Sequence, residues 1–402
     1  MADTKILDVT KDVKWIGALD PDIFTFDIVM ETKFGTTYNA YFINAEKKTI
    51  VETVKKKYKE EFVNKIATLT NPESIEYIIC DHTEPDHSGS LKYLLKAAPG
   101  ATVVGSGQAL NYLKEMIGVP FKSLQVKDGD VLDLGNKKIR FIGAPNLHWP
   151  DSIYSYLEED KILFTCDSFG AHYCKNEMYD DQVGDYTDAF NYYFDVILKP
   201  YSRFMLKAIE KIEPLDIAVI APGHGPILRS TVKEVIQKSK IRAQQYLSQT
   251  DTPNRKVLIT YVSAYGYTKE MAGFVAEGIR SKANAEIDVV NIENILLGDL
   301  EEKIVNCSAV LIGSPTINQN TLLPIYKMFA LINPIRDRGK LAAAFGSYGW
   351  SGEAVGIIEG TLKNLKLKVI EGVNAKFHPN GDKASVFIEF GKKFAEELDK
   401  CQ

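Results

Sequence analysis

Apolar and polar positions alternate with a period of two over much of the first fifty residues of this 402-residue chain, with turn residues between the alternating segments. Such alternation is typical of half-buried β-strands. A helical pattern follows from about Val54 to Leu69, and another covers 232–246. Between these helices, short apolar runs predict buried strands at 77–80, 101–104, 123–127, 131–134, 139–142, 162–166 and 217–220. The first half of the chain is therefore predicted to be a strand-rich unit with helices.

Beyond a polar linker at 248–254, the pattern changes to apolar strands that alternate with helices. Five strands separated by helices are typical of a parallel, doubly wound sheet. The strands are predicted at 257–262, 287–292, 309–312, 341–345 and 369–373. The chain is thus predicted to have two domains, residues 1–250 of α+β class and residues 251–402 of α/β class.

The composition is that of an ordinary globular protein, with 45% hydrophobic and 25% charged residues. No segment approaches the roughly 18 apolar residues of a membrane span, and the N-terminus lacks a signal-peptide pattern, so we expect a cytoplasmic protein with no membrane partner. The net charge of -5 argues against nucleic acid as a partner. Five widely spaced cysteines without a Cys-x-x-Cys pair argue against a disulfide framework and a thiolate metal site.

One loop after a predicted strand places four potential metal ligands within six residues: His82, Glu84, Asp86 and His87. His82 and Glu84 lie two apart and point the same way if the loop is extended. Pro85 turns the chain, so that Asp86 and His87 can face a second point. This spacing favours two metal ions, and the alternative is a solvated acidic loop with surface histidines.

Later strand ends carry further candidate ligands. These are His148, Asp167 and His224, and glycines on both sides of His224 permit a tight turn that pushes the imidazole outward. Four imidazoles and three carboxylates can fill two metal ions, with a bridge between them and open positions left. Zinc and iron both accept such ligands, but mixed His and carboxylate ligation favours non-haem iron that handles dioxygen. His172 is a candidate for contacting the metal ligands without binding metal itself, and His378 is expected at the surface.

Three strand ends in the second half offer small, polar and aromatic residues at the same edge of the predicted sheet, where open parallel sheets bind ligands. Hydroxyls and backbone N–H groups at a helix N-terminus can hold a phosphate without Lys or Arg. Because no Gly-x-Gly-x-x-Gly fingerprint is present, FMN fits better than a dinucleotide. The candidate FMN residues are Ser263, Ala264, Tyr265, Gly266, Tyr267, Thr268, Pro315, Thr316, Ile317, Asn318, Ser347, Tyr348, Gly349, Trp350, Ser351 and Gly352.

These two centres, in this order, resemble those of the flavodiiron proteins, also called A-type flavoproteins, over essentially the whole chain. Hydrolases of the metallo-β-lactamase fold carry His where this chain has Glu84, so this residue marks the iron branch. Tyr267 departs from the pattern, because it is bulky for a flavodoxin phosphate loop. The resemblance rests on the motif His82-x-Glu84-x-Asp86-His87, on His148, Asp167 and His224, and on the loop at 263–268.

The resemblance implies a metallo-β-lactamase-like αββα sandwich followed by a flavodoxin-like doubly wound parallel sheet. Its implied cofactors are two Fe ions and FMN, and its implied assembly is a head-to-tail homodimer or a homotetramer. The implied ligands are His82, Glu84 and His148 for one iron, Asp86, His87 and His224 for the other, and Asp167 as the bridge.

The implied activity is the terminal reduction of dioxygen to water at the diiron site. Electrons would pass through FMN from a small external carrier such as rubredoxin. Reduction of nitric oxide to nitrous oxide at the same centres is the alternative, and the ligands do not choose between the gases. Glu84 in place of His argues against a dinuclear zinc hydrolase. Another alternative is a flavin electron carrier whose first half is only a structural or docking platform. An intact set of seven ligands argues against it, because buried carboxylates without metal would be costly to retain.

Overall fold

The computed structural model describes residues 4–26, 30–251 and 255–400. It divides into two compact units, Met1–Ser248 and Gln249–Gln402. Among the described residues, no helix is long and apolar enough to cross a membrane.

The first unit contains sixteen strands and seven α-helices among its described residues. The strands are β1 (Leu7–Asp8), β2 (Val13–Trp15), β3 (Ala18–Asp20), β4 (Thr25–Phe26), β5 (Met30–Glu31), β6 (Thr36–Tyr38), β7 (Tyr41–Ile43), β8 (Lys48–Val51), β9 (Ile75–Ile79), β10 (Thr102–Gly105), β11 (Lys122–Gln125), β12 (Val131–Asp133), β13 (Lys138–Gly143), β14 (Ile153–Leu157), β15 (Ile162–Cys166) and β16 (Val219–Pro222). The helices are α1 (Lys59–Leu69), α2 (Pro85–Ser88), α3 (Leu91–Ala97), α4 (Gly107–Ile117), α5 (Thr187–Tyr193), α6 (Ser202–Ile212) and α7 (Val232–Asp251).

Two large sheets of this unit pack face to face. One has the strand order β1-β2-β7-β8-β9-β10-β11, and the other runs from β12 to β16 in sequence order. Their facing sides share one apolar core, in which Trp15 and Tyr41 of the first sheet meet Phe141 and Phe164 of the second. The helices pack in a separate cluster that includes Phe62 of α1. Two sheets between helices form the predicted αββα sandwich.

The strand β14 was not among the predicted strands. All five of its residues are buried, and Ser155 interrupts the apolar run that would otherwise indicate a buried strand. The Ser155 hydroxyl donates a hydrogen bond to Asp81 Oδ1 at 2.6 Å, so this polar residue is satisfied inside the core.

The second unit is built on strands β17 (Lys256–Tyr261), β18 (Glu286–Asn291), β19 (Ala309–Gly313), β20 (Leu341–Tyr348), β21 (Lys368–Val369) and β22 (Val373–Lys376). Its helices are α8 (Tyr267–Lys282), α9 (Leu297–Asn306), α10 (Leu323–Leu331), α11 (Glu353–Asn364) and α12 (Asp382–Asp399). The sheet order is β18-β17-β19-β20-β21, with β22 also on β20. All of these pairs are parallel. Helices α8 and α12 cover one face and α9, α10 and α11 the other, which confirms the doubly wound sheet.

The predicted strand at 369–373 is wrong as a single element, because β21 and β22 are separate segments on the same neighbour. The interruption lies at Gly372, whose N–H donates to Glu359 Oε1 at 2.5 Å instead of joining the ladder. A Cβ at Gly372 would lie 2.2 Å from the Ala344 carbonyl oxygen, so only glycine fits this close approach.

The predicted linker at 248–254 is partly wrong too, because α7 continues to Asp251. A proline disfavours helical geometry in the residue directly before it, so Pro253 does not prevent a helix that ends at Asp251. Residues 252–254 of the predicted linker lie outside the described residues.

Arg336→Met is expected to lower the free energy of unfolding of the second unit by about 1.5–3 kcal/mol. The Arg336 side chain is 3% exposed and lies 2.8 Å from Asp337 and 3.1 Å from Glu301. Its removal leaves the buried Asp337 carboxylate with Lys340, whose Nζ lies 2.9 Å from Oδ1, as its remaining cationic partner. Urea unfolding measures the change, with the exposed neighbour Arg338→Met as the control, expected within about 0.5 kcal/mol of wild type. Equal midpoints for the two variants would contradict the prediction.

Candidate metal centre and flavin site

The seven predicted metal ligands of the first unit come together at the carboxyl ends of four strands. His82, Glu84, Asp86 and His87 lie in the loop and short helix α2 after β9. His148 follows β13, Asp167 follows β15 and His224 follows β16. Five of the seven side chains are buried, and those of Glu84 and His148 retain 12% and 17% exposure.

The ligand atoms form two groups, as the spacing in the loop predicts. One group joins His82, Glu84, His148 and Asp167, with all four ligand atoms within 4.8 Å of one another. Glu84 Oε2 lies 2.9 Å from His148 Nε2 and 3.2 Å from His82 Nε2. The other group joins Asp86, His87 and His224.

Asp167 faces both groups with different oxygens. Its Oδ2 lies 3.4 Å from His82 Nε2 and 3.2 Å from His148 Nε2. Its Oδ1 lies 3.1 Å from His87 Nε2 and 3.5 Å from His224 Nε2. One carboxylate therefore stands between two groups of ligand atoms.

The other ring nitrogens of three of these histidines are fixed from outside. His224 Nδ1 donates to the Thr37 carbonyl oxygen at 2.5 Å, and His82 Nδ1 lies 3.4 Å from Asp151 Oδ2. His87 Nδ1 lies 3.6 Å from Cys166 Sγ. Outer partners of this kind set the tautomer and orientation of metal-binding imidazoles, leaving Nε2 free to ligate.

Asp151 is a further residue of the site that the sequence pattern does not predict. It is fully buried, and its Oδ2 accepts hydrogen bonds from the Thr83 N–H at 2.8 Å and the Thr83 hydroxyl at 2.7 Å. It thereby ties the loop that carries His82 to the segment after His148. Nothing in the local pattern marks this aspartate, because its partners lie 68 residues away in the sequence.

The site fits metal ions on its own chemistry. Asp86 is 5% exposed, and neither of its carboxylate oxygens accepts a hydrogen bond from any residue that the structure describes. A buried carboxylate without donors is costly unless a cation compensates it. In the absence of metal, burial raises the pKa of Asp167, but the surrounding imidazoles outweigh burial and hold it well below its usual range. The oxygens thus stay ionised and available to a metal.

The metal-free protein is expected to lose stability as the pH rises from about 6.5 to about 9. Burial lowers the pKa of His148, but Asp167 and Glu84 outweigh burial and raise it from 6.5 to about 9. Because the folded-state pKa lies above the unfolded one, this stabilisation is fully present below pH 6.5 and is lost as the pH passes through 9. His148 alone corresponds to about 3 kcal/mol.

Urea unfolding of chelator-treated protein at pH values below, within and above this range measures the effect. The iron-loaded protein is the control, since a metal-bound imidazole nitrogen holds no proton. A midpoint of the metal-free protein that rises with pH would contradict the prediction.

A small cavity opens between the two ligand groups. Its remaining walls are formed by Phe26, His172, Tyr193 and Ile197. Of these four residues, the sequence predicts only His172 to support the metal centre. Its volume is about 20 Å³, whereas roughly 10–15 Å³ suffices for one water molecule. The cavity therefore suits a molecule of two or three atoms.

His172 belongs to neither ligand group. Burial, followed by the neighbouring imidazole of His224, holds the pKa of His172 well below its usual range, so the ring is neutral. His378 lies in the second unit with a 43% exposed side chain, 3.1 Å from Glu270, in agreement with the expected surface position.

The three predicted FMN segments lie at the carboxyl edge of the sheet in the second unit. Residues 263–268 connect β17 to α8, residues 315–318 follow β19, and residues 347–352 include the end of β20 and the loop after it. Two contacts join the segments: Thr268 Oγ1 lies 3.2 Å from Ser347 Oγ, and the Thr316 N–H donates to the Ser347 carbonyl oxygen at 2.8 Å.

The local chemistry of these segments fits a phosphate and a flat ring. Gly266 has a φ of +87°, which allows the loop to turn directly into α8 and present N–H groups at the helix N-terminus. Ser351 Oγ is buried and has no hydrogen-bond partner among the described residues. Tyr265 and Trp350 are 81% and 87% exposed at the same edge. The bulky Tyr267 ring packs against His378, with the ring centres 5.2 Å apart.

Comparison with known proteins gives consistent matches over both units. The family model of the ODP family beta lactamase matches residues 36–225, and the flavodoxin model matches residues 259–390. Flavo-diiron protein FprA2 of Clostridium acetobutylicum is 40% identical over 390 residues, covering 95% of this chain and 97% of that protein. The nitric oxide reductase of Moorella thermoacetica is 32% identical over 398 residues, covering 97% and 98%. The structure of rubredoxin oxygen:oxidoreductase from Desulfovibrio gigas has a TM-score of 0.76 at 28% identity and covers 99% of both chains.

Proposed function

The chain belongs to the flavodiiron, or type A flavoprotein, family, and we propose that it is a terminal reductase that converts dioxygen to water. Its fold is a metallo-β-lactamase-like domain followed by a flavodoxin domain, and its cofactors are a diiron centre and FMN. The proposed boundary between the domains is at residues 250 and 251. The proposed electron donor is a small carrier such as rubredoxin.

The position of Asp167 between the two ligand groups carries the proposal. Its two oxygens face different groups at 3.1 to 3.5 Å, as a bridge between two ions requires. The seven ligands are assigned to two irons, with Asp167 shared. One iron would be held by His82, Glu84 and His148, and the other by Asp86, His87 and His224.

When bound, the cofactors supply electrons: two ferrous ions give two and a reduced flavin two more, which together meet the four that dioxygen needs to become water. The residues of the chain provide the environment. Glu84, Asp86 and Asp167 offset three of the four positive charges of two divalent ions. Phe26 and Ile197 line the cavity with apolar surface, which suits a small, uncharged gas. No side chain of the cavity is assigned as the proton donor.

Nitric oxide reduction is the second candidate function. The support for it is the 32% identical Moorella thermoacetica protein, whose name is nitric oxide reductase. Nitric oxide is a diatomic molecule like dioxygen, so the cavity size does not separate the two gases. The ratio of the two consumption rates, measured on the same preparation, decides between them.

A zinc hydrolase is less well supported by the same site. The Glu84 carboxylate contacts the imidazoles of His82 and His148. Hydrolases of this fold carry a His at this position instead.

The proposed assembly is a head-to-tail homodimer or a homotetramer, in which the FMN of one subunit serves the iron site of its partner. Support comes from Tyr265 and Trp350, large aromatic residues that are exposed beside the FMN segments in a single chain. Sedimentation analysis tests the assembly. We place the protein in the cytoplasm, consistent with Cys80, Cys166 and Cys307, which form no disulfide within the described part of the chain.

Metal and flavin analysis of protein purified without oxygen tests the proposed cofactor chemistry. Two irons and one FMN per chain are expected. Zinc in stoichiometric amount with no iron would overturn the oxidoreductase proposal in favour of the hydrolase.

A further inference from the structure

His172 lies in the loop after β15 and is buried, with 4% exposure. Its ring stacks on Phe26 with the ring centres 4.4 Å apart, and its faces and edges also contact Tyr193 and His224, each at 4.9 Å. Three aromatic contacts and one hydrogen bond therefore fix the imidazole plane at the cavity wall.

The hydrogen bond of His172 defines which ring nitrogen carries the hydrogen. The Thr36 hydroxyl lies 2.8 Å from His172 Nδ1 and 3.3 Å from the Thr37 carbonyl oxygen. It cannot donate to His224 Nδ1, because that nitrogen donates its own hydrogen to the Thr37 carbonyl oxygen. We assign the single hydroxyl hydrogen to His172 Nδ1, the nearer acceptor, because the Thr37 carbonyl oxygen already accepts from His224 Nδ1. With this assignment, Nε2 carries the ring hydrogen of His172.

The Nε2 of His172 has no hydrogen-bond partner among the residues that the structure describes. A buried N–H without an acceptor is costly, and native proteins leave few of them. The same ring lines the cavity that Glu84, Asp86, His148, Asp167 and His224 border. An acceptor atom of a molecule in that cavity would satisfy this donor.

We propose that His172 Nε2–H donates a hydrogen bond to the small molecule held in the cavity, and that Thr36 fixes the tautomer that makes this possible. The ligand class is a molecule of two or three atoms with a terminal oxygen or nitrogen acceptor. His172 thus acts as a substrate-contacting residue and not as a metal ligand. This inference rests on the proposed metal centre, because the ligand must be held between His172 and the iron-binding side chains.

Azide is the probe, since it has three atoms and terminal nitrogen acceptors. Calorimetric titration of the iron-loaded protein compares wild type with His172→Leu, His172→Gln and Thr36→Val. His172→Leu is expected to weaken azide binding about tenfold, the size of one hydrogen bond, while the protein retains two irons per chain. His172→Gln keeps an N–H donor and is expected to recover most of the affinity. Thr36→Val is expected to give an intermediate loss, and His378→Leu is the matched control with no change.

Two results would overturn the proposal. One is unchanged azide affinity in His172→Leu with full iron content. The other is loss of iron in both His172 variants, which would make His172 a support for His224 only. Failure of the proposed metal centre is distinguishable from both, because wild-type protein would then hold no iron and bind no azide at this site.

Discussion

Asp167→Ala is expected to lower gas consumption by about 100-fold or more and to reduce the iron content below two ions per chain. Loss of an outer partner of a metal ligand typically costs about 10- to 100-fold, and Asp167 is assigned as a ligand to both ions. Without its two oxygens, each ligand group keeps only three side chains. Iron analysis and a gas electrode measure the two effects.

The control for this substitution is Asp216→Ala, which removes an aspartate of the same unit whose side chain is 78% exposed. It is expected to retain iron and turnover. An Asp167→Ala protein with two irons and wild-type turnover would contradict the assignment of Asp167 as the bridge.

Glu84→His is expected to shift metal loading from iron toward zinc and to reduce turnover at least about tenfold. The change replaces a carboxylate with a neutral imidazole between His82 and His148, so the site loses one negative charge that stabilises ferric iron. Metal analysis of protein from cells supplied with both metals measures the shift.

Glu84→Asp is the matched variant, because it keeps the charge and changes only the reach of the carboxylate. It is expected to retain more iron than Glu84→His. If Glu84→His carries the wild-type amount of iron and turns over at the wild-type rate, Glu84 does not select the metal.

The seven side chains predicted as ligands could be chosen from the sequence because they follow apolar runs, and four of them lie close together in one loop. The division of that loop into two groups also followed from local geometry, since His82 and Glu84 face one point and Asp86 and His87 another. The structure brings both groups together as expected. Strand ends are local features, and a local pattern is sufficient to identify them.

The walls of the cavity could not be predicted in the same way. The partner of His172 is Thr36, 136 residues earlier, and Phe26 and Tyr193 reach the site from a short strand and a helix. Such contacts depend on how distant segments pack. No periodicity in the sequence marks them.

The two fold corrections have local causes that periodicity does not represent. At Gly372 a side chain from α11 takes the N–H that a continuous strand would have used. At the end of α7 the polar composition suggested a linker, but helix formation requires only compatible backbone geometry and continues to Asp251.

The most direct test of the central claim is gas consumption by protein with two irons and one FMN, supplied with reduced rubredoxin. The proposal predicts sustained consumption of dioxygen, with four one-electron carriers oxidised per dioxygen molecule. If the protein also reduces nitric oxide, one carrier is oxidised per nitric oxide molecule. Fully loaded protein that consumes neither gas faster than carrier alone would contradict it.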